Sequence, residues 1–285
     1  MILRWTIWGL LLVQSVGFCQ IQNGRFEVPD PDRATDWFTP PKYWEFENYA
    51  NLLSEFTPEP EQGQIVSWSI PSPFEGQYFM LLSTGDIAGP GSDSSTIRSS
   101  AWQTLYATSG ETLIGAYFFG TCDYLPYDDF ASITLEAADP NDELRPITLV
   151  EISVLDVGSY SSTDGWQPFQ HTFDSSQTGE YIIRCEVNDK TDTRFKSYLA
   201  VDGLRICQAI PAYGDLNRDC GVDLQDFSIF TSAWLADCQS VEDPGSPLYD
   251  PNIPCSLADM DGSGIVDPND LILMSEHWLE KFWSE

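Results

Sequence analysis

Between residues 20 and 208, apolar and polar positions alternate in short runs. Gln77–Leu82, Thr112–Phe119, Ala131–Glu136, Tyr181–Val187 and Ser197–Asp202 are such runs, each punctuated by Gly, Pro, Asp or Ser. A period of two bounded by turn residues predicts strands, and no long helical period intervenes. About eight short strands with long connections predict an antiparallel sandwich. After residue 210 the period changes. Phe227, Phe230 and Trp234, then Leu271, Met274 and Trp278, recur at helical spacing and predict helices over 224–236 and 268–280. Two short amphipathic helices must cover their apolar stripes, and the simplest arrangement sets the stripes face to face.

Ahead of each predicted helix lies the same acidic pattern. Asp215, Asn217, Asp219, Asp223 and Asp226 occupy positions 1, 3, 5, 9 and 12 of one loop. Asp259, Asp261, Ser263, Asp267 and Asp270 occupy the same positions 44 residues later. Four carboxylates within twelve residues repel one another unless a cation sits among them. A hard cation such as Ca2+ takes six or more oxygens from a sharply curved loop, with a backbone carbonyl at position 7, here Gly221 and Ile265. The usual EF-hand spacing has Gly at position 6 and Glu at position 12. Gly264 meets the first condition, whereas loop one has Cys220 there, and both loops end in Asp. Pro211 and Gly214 before loop one, and Pro254 before loop two, disfavour an entering helix. The unit is therefore a loop followed by one helix, used twice.

The repeated pattern Gly214-Asp215-x-Asn217-x-Asp219-x-x-Val222-Asp223-x-x-Asp226-Phe227, with its following helix, resembles a type I dockerin module over residues 211–285. The resemblance implies two structural calcium ions and a docking surface for a cohesin-like protein or cell-surface partner. It also implies a setting among secreted polysaccharide-degrading proteins. Positions 10 and 11, which carry partner recognition in that family, are Leu224-Gln225 and Pro268-Asn269, and a Pro-rich insert (239–258) separates the repeats.

The larger region, 20–208, is similar to jelly-roll carbohydrate-binding modules. Asn23-Gly24-Arg25-Phe26-Glu27 matches their first strand, Leu199–Ile206 their last, and Gly165–Phe169 with Thr178–Tyr181 their penultimate hairpin. The resemblance implies a structural calcium where the first and last strands meet, with Glu27 and Asp202 placed to be its carboxylates; plain surface carboxylates are the competing role. A polysaccharide ligand would need exposed rings, for which Trp37, Tyr43, Trp44, Trp68, Trp102 and Tyr106 are the candidates; core packing is the competing role. Asp123, Asp128 and Asp129 around Tyr124–Tyr127 read as a ligand or metal loop or as a solvated turn.

The fold class expected is thus mainly β: an antiparallel jelly-roll β-sandwich (20–208) followed by a small α-helical dockerin-like module (211–285). Residues 1–19, with Arg4 ahead of a short apolar run, read as a secretory signal. No other stretch is apolar enough to span a bilayer, so an exported protein, secreted or at the cell surface, is expected. The net charge of −31 disfavours nucleic acid as a partner, since such binding needs basic patches, and none is expected. Residues 211–285 hold fifteen acidic and two basic side chains. Export predicts oxidised cysteines: Cys238–Cys255 across the insert, Cys207–Cys220 at the domain junction, and Cys122–Cys185 either bridging two strands or left as buried thiols. Two histidines in the whole chain make a Ser-His-Asp or Cys-His set improbable, although a glycosidase needs only two carboxylates. Three functions are compatible with these features: a non-catalytic glycan-binding protein with a docking module, a small glycoside hydrolase or lyase carrying one, and a purely structural adhesion protein.

Overall fold

The computed structural model of the protein describes residues 21–36, 38–58, 66–84, 98–190, 195–207, 214–217, 220–249 and 255–279. The signal segment 1–19, Trp37 and Asp219 lie outside the described residues. Among the described residues, ten strands form two five-stranded antiparallel sheets. Sheet one, in the order β1-β4-β9-β6-β7, comprises β1 (Glu45–Glu47), β4 (Arg98–Ala107), β9 (Gly179–Asn188), β6 (Phe130–Ala137) and β7 (Ile147–Ser153). Sheet two, in the order β2-β3-β10-β5-β8, comprises β2 (Ala50–Leu53), β3 (Phe79–Ser83), β10 (Ser197–Cys207), β5 (Thr112–Thr121) and β8 (Gln167–Thr172). Leu105, Ile133, Ile183 and Val187 from sheet one meet Met80, Leu82, Phe119, Leu199 and Val201 from sheet two in one dry core.

The two sheets differ in their outer faces, and the sequence pattern follows from this. Strands β4, β6 and β9 alternate buried and half-exposed positions because one face meets water. Strands β3 and β10 are buried at every position. Their outer face is covered by a second apolar layer in which Trp68, Ile70 and Phe56 lie over Phe79, Leu81, Phe118 and Tyr198. Trp68 donates its indole N–H to the Thr121 carbonyl at 3.0 Å. Its ring lies so close to Gly120 that a Cβ there would come within 2.8 Å of it.

Two features of the expected jelly roll are corrected. Asn23–Glu27 is a turn rather than a strand. Asn23 and Phe26 have φ of 51° and 57°, and the turn drives Phe26 into the core against Trp44. Residues 165–169 and 178–181 do not form a hairpin either: β8 pairs with β5 in sheet two, whereas β9 pairs with β4 and β6 in sheet one. The connection crosses the core between the sheets because Phe173 and Tyr181, 5.8 Å apart, are both buried in it.

Beyond β10, α2 (Leu224–Ser232) and α5 (Pro268–Glu276) follow the two acidic loops. Each helix ends about one turn before the predicted stop, because Leu235 and Leu279 take φ of 61° and 64° and reverse the chain. The helical stripes only partly face each other. Phe230 and Met274 are buried, while Phe227, Trp234 and Trp278 remain partly exposed, with Phe227 and Trp278 in edge contact at 6.2 Å. The remaining core comes from the loops (Leu216, Val222, Val266) and from the insert (Cys238, Val241, Cys255, Ala258). The insert holds two further short helices, α3 (Cys238–Glu242) and α4 (Cys255–Ala258). The second leads straight into loop two, so that loop does have a single helical turn at its entry.

Disulfides join Cys207 to Cys220 and Cys238 to Cys255. Cys122 and Cys185 are buried thiols and do not bridge. Cys122 sits in the layer outside sheet two and Cys185 in the core between the sheets, so a sheet separates them.

Candidate functional site

The two acidic loops repeat one hydrogen-bond scheme. At position 1, Asp215 Oδ2 accepts from the N–H of Cys220 at 3.0 Å, and Asp259 Oδ2 accepts from Gly264 at 2.8 Å. At position 12, Asp226 Oδ1 accepts from Asn217 N–H at 3.0 Å and Asp270 Oδ1 from Asp261 N–H at 3.0 Å. Their Oδ2 atoms accept from the position-9 amides, Asp223 at 2.9 Å and Asp267 at 2.8 Å. Both position-12 carboxylates are fully buried. Asp223 and Asp267 cap the helices, accepting from Gln225 and Asn269 N–H at 2.7 Å each. Each loop is thereby curled around its own aspartates, and the N-terminus of the following helix is fixed by the same residues.

Loop two shows what the curl concentrates. Carboxylate oxygens of Asp259, Asp261 and Asp270 lie within 4.8 Å of one another. Two like charges 4 Å apart repel by about 1 kcal/mol in water and about 4 kcal/mol near a protein surface. Asp259 Oδ1 is buried and has no hydrogen-bond partner among the described residues. A cation fits this donor set: three carboxylates converge, and one of them, Asp259, carries an oxygen that is desolvated and unsatisfied. Ser263 Oγ donates to the Ile265 carbonyl at 3.1 Å, so positions 5 and 7 lie side by side. In loop one, Asn217 Nδ2 donates to Gln225 Oε1 at 3.2 Å, and Gly221 follows Cys220 at the turn. When bound, the ion would supply charge neutralisation; the residues that would hold it are those at positions 1, 3, 5, 7, 9 and 12.

In the sandwich, Glu27 and Asp202 both bind the loop 74–78. Glu27 Oε1 accepts from Gln77 N–H at 2.7 Å, and the Asp202 oxygens accept from Glu75 N–H at 3.0 Å and Gly203 N–H at 2.7 Å. Burial pushes the Asp202 carboxyl up to about 7, and the Glu75 carboxylate adds to this, while the backbone amides of Glu75, Gly203 and Phe74 oppose it. Glu75 itself bridges Arg25 and Arg205, at 2.8 Å to each. Asp128 and Asp129 anchor their loop. Asp129 Oδ2 accepts from Ser197 Oγ at 2.7 Å, and Asp128 accepts from Leu155 N–H at 3.0 Å and pairs with Lys190 at 3.5 Å.

The aromatic candidates separate cleanly. Trp44 and Trp68 are core residues, and Tyr43 is an exposed loop ring beside Lys42. Trp102 and Tyr106 project from β4 onto the outer face of sheet one. There the Arg184 guanidinium covers the Trp102 ring at 4.8 Å, and the register places Glu45, Trp102, Arg184 and Thr134 in one row. Ile182, Glu186 and Glu136 complete the neighbourhood. Sequence reading missed them: the alternation of β9 shows that they face outward, but not that β9 lies beside β4.

No family model matches the chain, and no curated protein matches it in sequence. Solved structures similar to it include TmCBM61 in complex with β-1,4-galactotriose, at 8% identity and TM-score 0.33 over 58% of this chain and 88% of that one. The CBM22-1 xylan-binding domain of Paenibacillus barcinonensis Xyn10C matches at 12% identity and TM-score 0.30, over 59% and 86%. The C-terminal family 22 carbohydrate-binding module of Clostridium thermocellum Xyn10B matches at 12% and 0.30, over 66% and 98%. Such values are too low to carry ligand identity to this chain; the two-sheet architecture rests on its own strand order. No helix among the described residues is long and apolar enough to cross a membrane.

Proposed function

We propose that this is an exported, non-catalytic, calcium-stabilised protein in which a glycan-binding β-sandwich is joined to a dockerin-type docking module. The observation that carries the calcium half is the loop-two cluster, where three carboxylates converge and Asp259 Oδ1 is buried without a partner among the described residues. The recurrence of the same scaffold in loop one supports a second ion. The docking half is supported by apolar side chains left in water on the module: Leu224 at 73% exposure, Ile272 at 57%, and Phe227 beside Trp278. The two disulfides suit an oxidising compartment.

The glycan half is supported by the outer face of sheet one. Sheet two carries an apolar layer over its own outer face, so sheet one offers the open flat surface, with Trp102 and Tyr106 amid hydrogen-bonding side chains. An apolar sugar face stacks on such rings while its hydroxyls bond to the flanking polar groups. Calorimetric titration with CaCl2 after chelation, together with a polysaccharide array, tests both halves. Absence of calcium binding would remove the first, and a silent array the second. Release of reducing ends from any arrayed polysaccharide would replace the non-catalytic assignment with a hydrolase or lyase.

A further inference from the structure

We propose that the Cys207–Cys220 disulfide is a positioning element of calcium loop one, which then holds its cation tightly only while this bond is intact, whereas loop two, which reverses on a glycine, has no direct dependence on it. The inference rests on the calcium reading above. Position 6 is where each loop reverses, and the reversal demands a positive φ. Loop two uses Gly264, at φ 89°. Loop one uses Cys220 at φ 69°, a conformation that a residue with a Cβ adopts only when something holds it. The N–H of that residue is the group that donates to Asp215 Oδ2, the position-1 carboxylate.

What holds it is covalent. Cys220 is fully buried, and its partner Cys207 is the last residue of β10, the central strand of sheet two, with Cα atoms 5.3 Å apart. A cavity of about 680 Å3 lies at the junction, with Asn217 and Gln225 of the module on one side and Phe74, Glu75, Phe169 and Arg205 of the sandwich on the other. The disulfide is the covalent tie between loop one and the sandwich. A dithiol reductant delivers two electrons and two protons: the S–S bond breaks, Cys207 and Cys220 become thiols, and the reductant becomes a cyclic disulfide. Cys220 is then free to leave the left-handed region, which takes its N–H away from Asp215 and loosens positions 1 and 3. By linkage, calcium in loop one protects the bond by the same factor.

The test uses the chain from Gln20 onward. In a background with loop two disabled (Asp259→Ala, Asp270→Ala), calorimetric calcium titration compares the disulfide-bonded protein with Cys207→Ser/Cys220→Ser. The expected loss is about 5- to 150-fold in affinity, the usual range of site coupling. Cys207→Ser/Cys220→Gly should recover part of it, because glycine accepts the required φ. In the reverse background (Asp215→Ala, Asp226→Ala), removing the disulfide should leave loop-two affinity unchanged. A second measurement needs no variant: dithiothreitol titration with mapping of alkylated peptides should show Cys207–Cys220 reduced less readily in calcium than in EGTA. Equal loop-one affinity with and without the bond, or equal reducibility in both buffers, overturns the proposal while leaving the calcium sites standing. Absence of calcium binding in every form overturns both.

Discussion

The backbone N–H of Leu235 donates to the carbonyl of Val266 at 2.9 Å, so the chain leaving the first helix is tied to position 8 of the second loop. The mirror bond, Leu279 N–H to the Val222 carbonyl at 2.8 Å, ties the second helix to the first loop. Val266 N–H returns a bond to the Ala236 carbonyl at 3.1 Å. Each metal loop is thus braced by the other repeat, and ordering one should help to order its twin. Disabling loop two with Asp259→Ala is expected to weaken calcium binding at loop one by about fivefold or more. Two-site calorimetry on wild type and variant checks this; unchanged loop-one affinity would show that the straps carry no coupling.

Asp259 offers a test in which the sign reverses with the metal. Asp259→Asn removes one of three clustered charges at nearly constant shape. In chelator the module should melt at the same temperature or slightly higher, since repulsion is relieved. In calcium it should melt lower, because a ligand charge is lost; stabilisation of about 2–3 kcal/mol is at stake when calcium stands at one hundred times Kd. Scanning calorimetry in the two buffers reads both signs. A drop of equal size in both would assign Asp259 to packing alone.

Trp102 and Trp44 separate binding from stability. Trp102→Ala lies on the outer face and should leave folding nearly unchanged while weakening polysaccharide binding at least about tenfold, or about 1.4 kcal/mol. Trp44→Ala empties a fully buried site and should cost about 3–5 kcal/mol of stability. Affinity electrophoresis and denaturant melts of the two variants should show opposite profiles.

The buried thiols predict a pH effect. Burial pushes Cys185 up to about 12, whereas an unfolded thiol titrates near 8.5. Its folded form holds the proton longer, so this contribution is complete below about pH 8.5 and is lost as pH rises towards 12. Native protein from Gln20 onward should give no reaction with a thiol reagent at pH 8, and guanidinium should expose the two thiols of Cys122 and Cys185. Rapid modification in the native state would contradict their burial.

Local chemistry determined a good deal of this protein before folding enters. The spacing of aspartates from 215 to 270 sets both loop curls, because the described side chains bond amides a few residues away, and Asp223 and Asp267 cap helices that begin at the next residue. Alternation in β4, β6 and β9 likewise marks one wet face. Only the tertiary structure decided which aromatic rings are buried, since Trp44 and Trp102 look alike in sequence but point to opposite sides of a sheet. It also decided that β8 and β9 part between the sheets, that sheet two is covered on both faces, and that Cys122 and Cys185 stay thiols on opposite sides of a sheet. Such outcomes depend on which distant segments share a surface, and a period of two or 3.6 records only which face a residue takes, never what lies across from it.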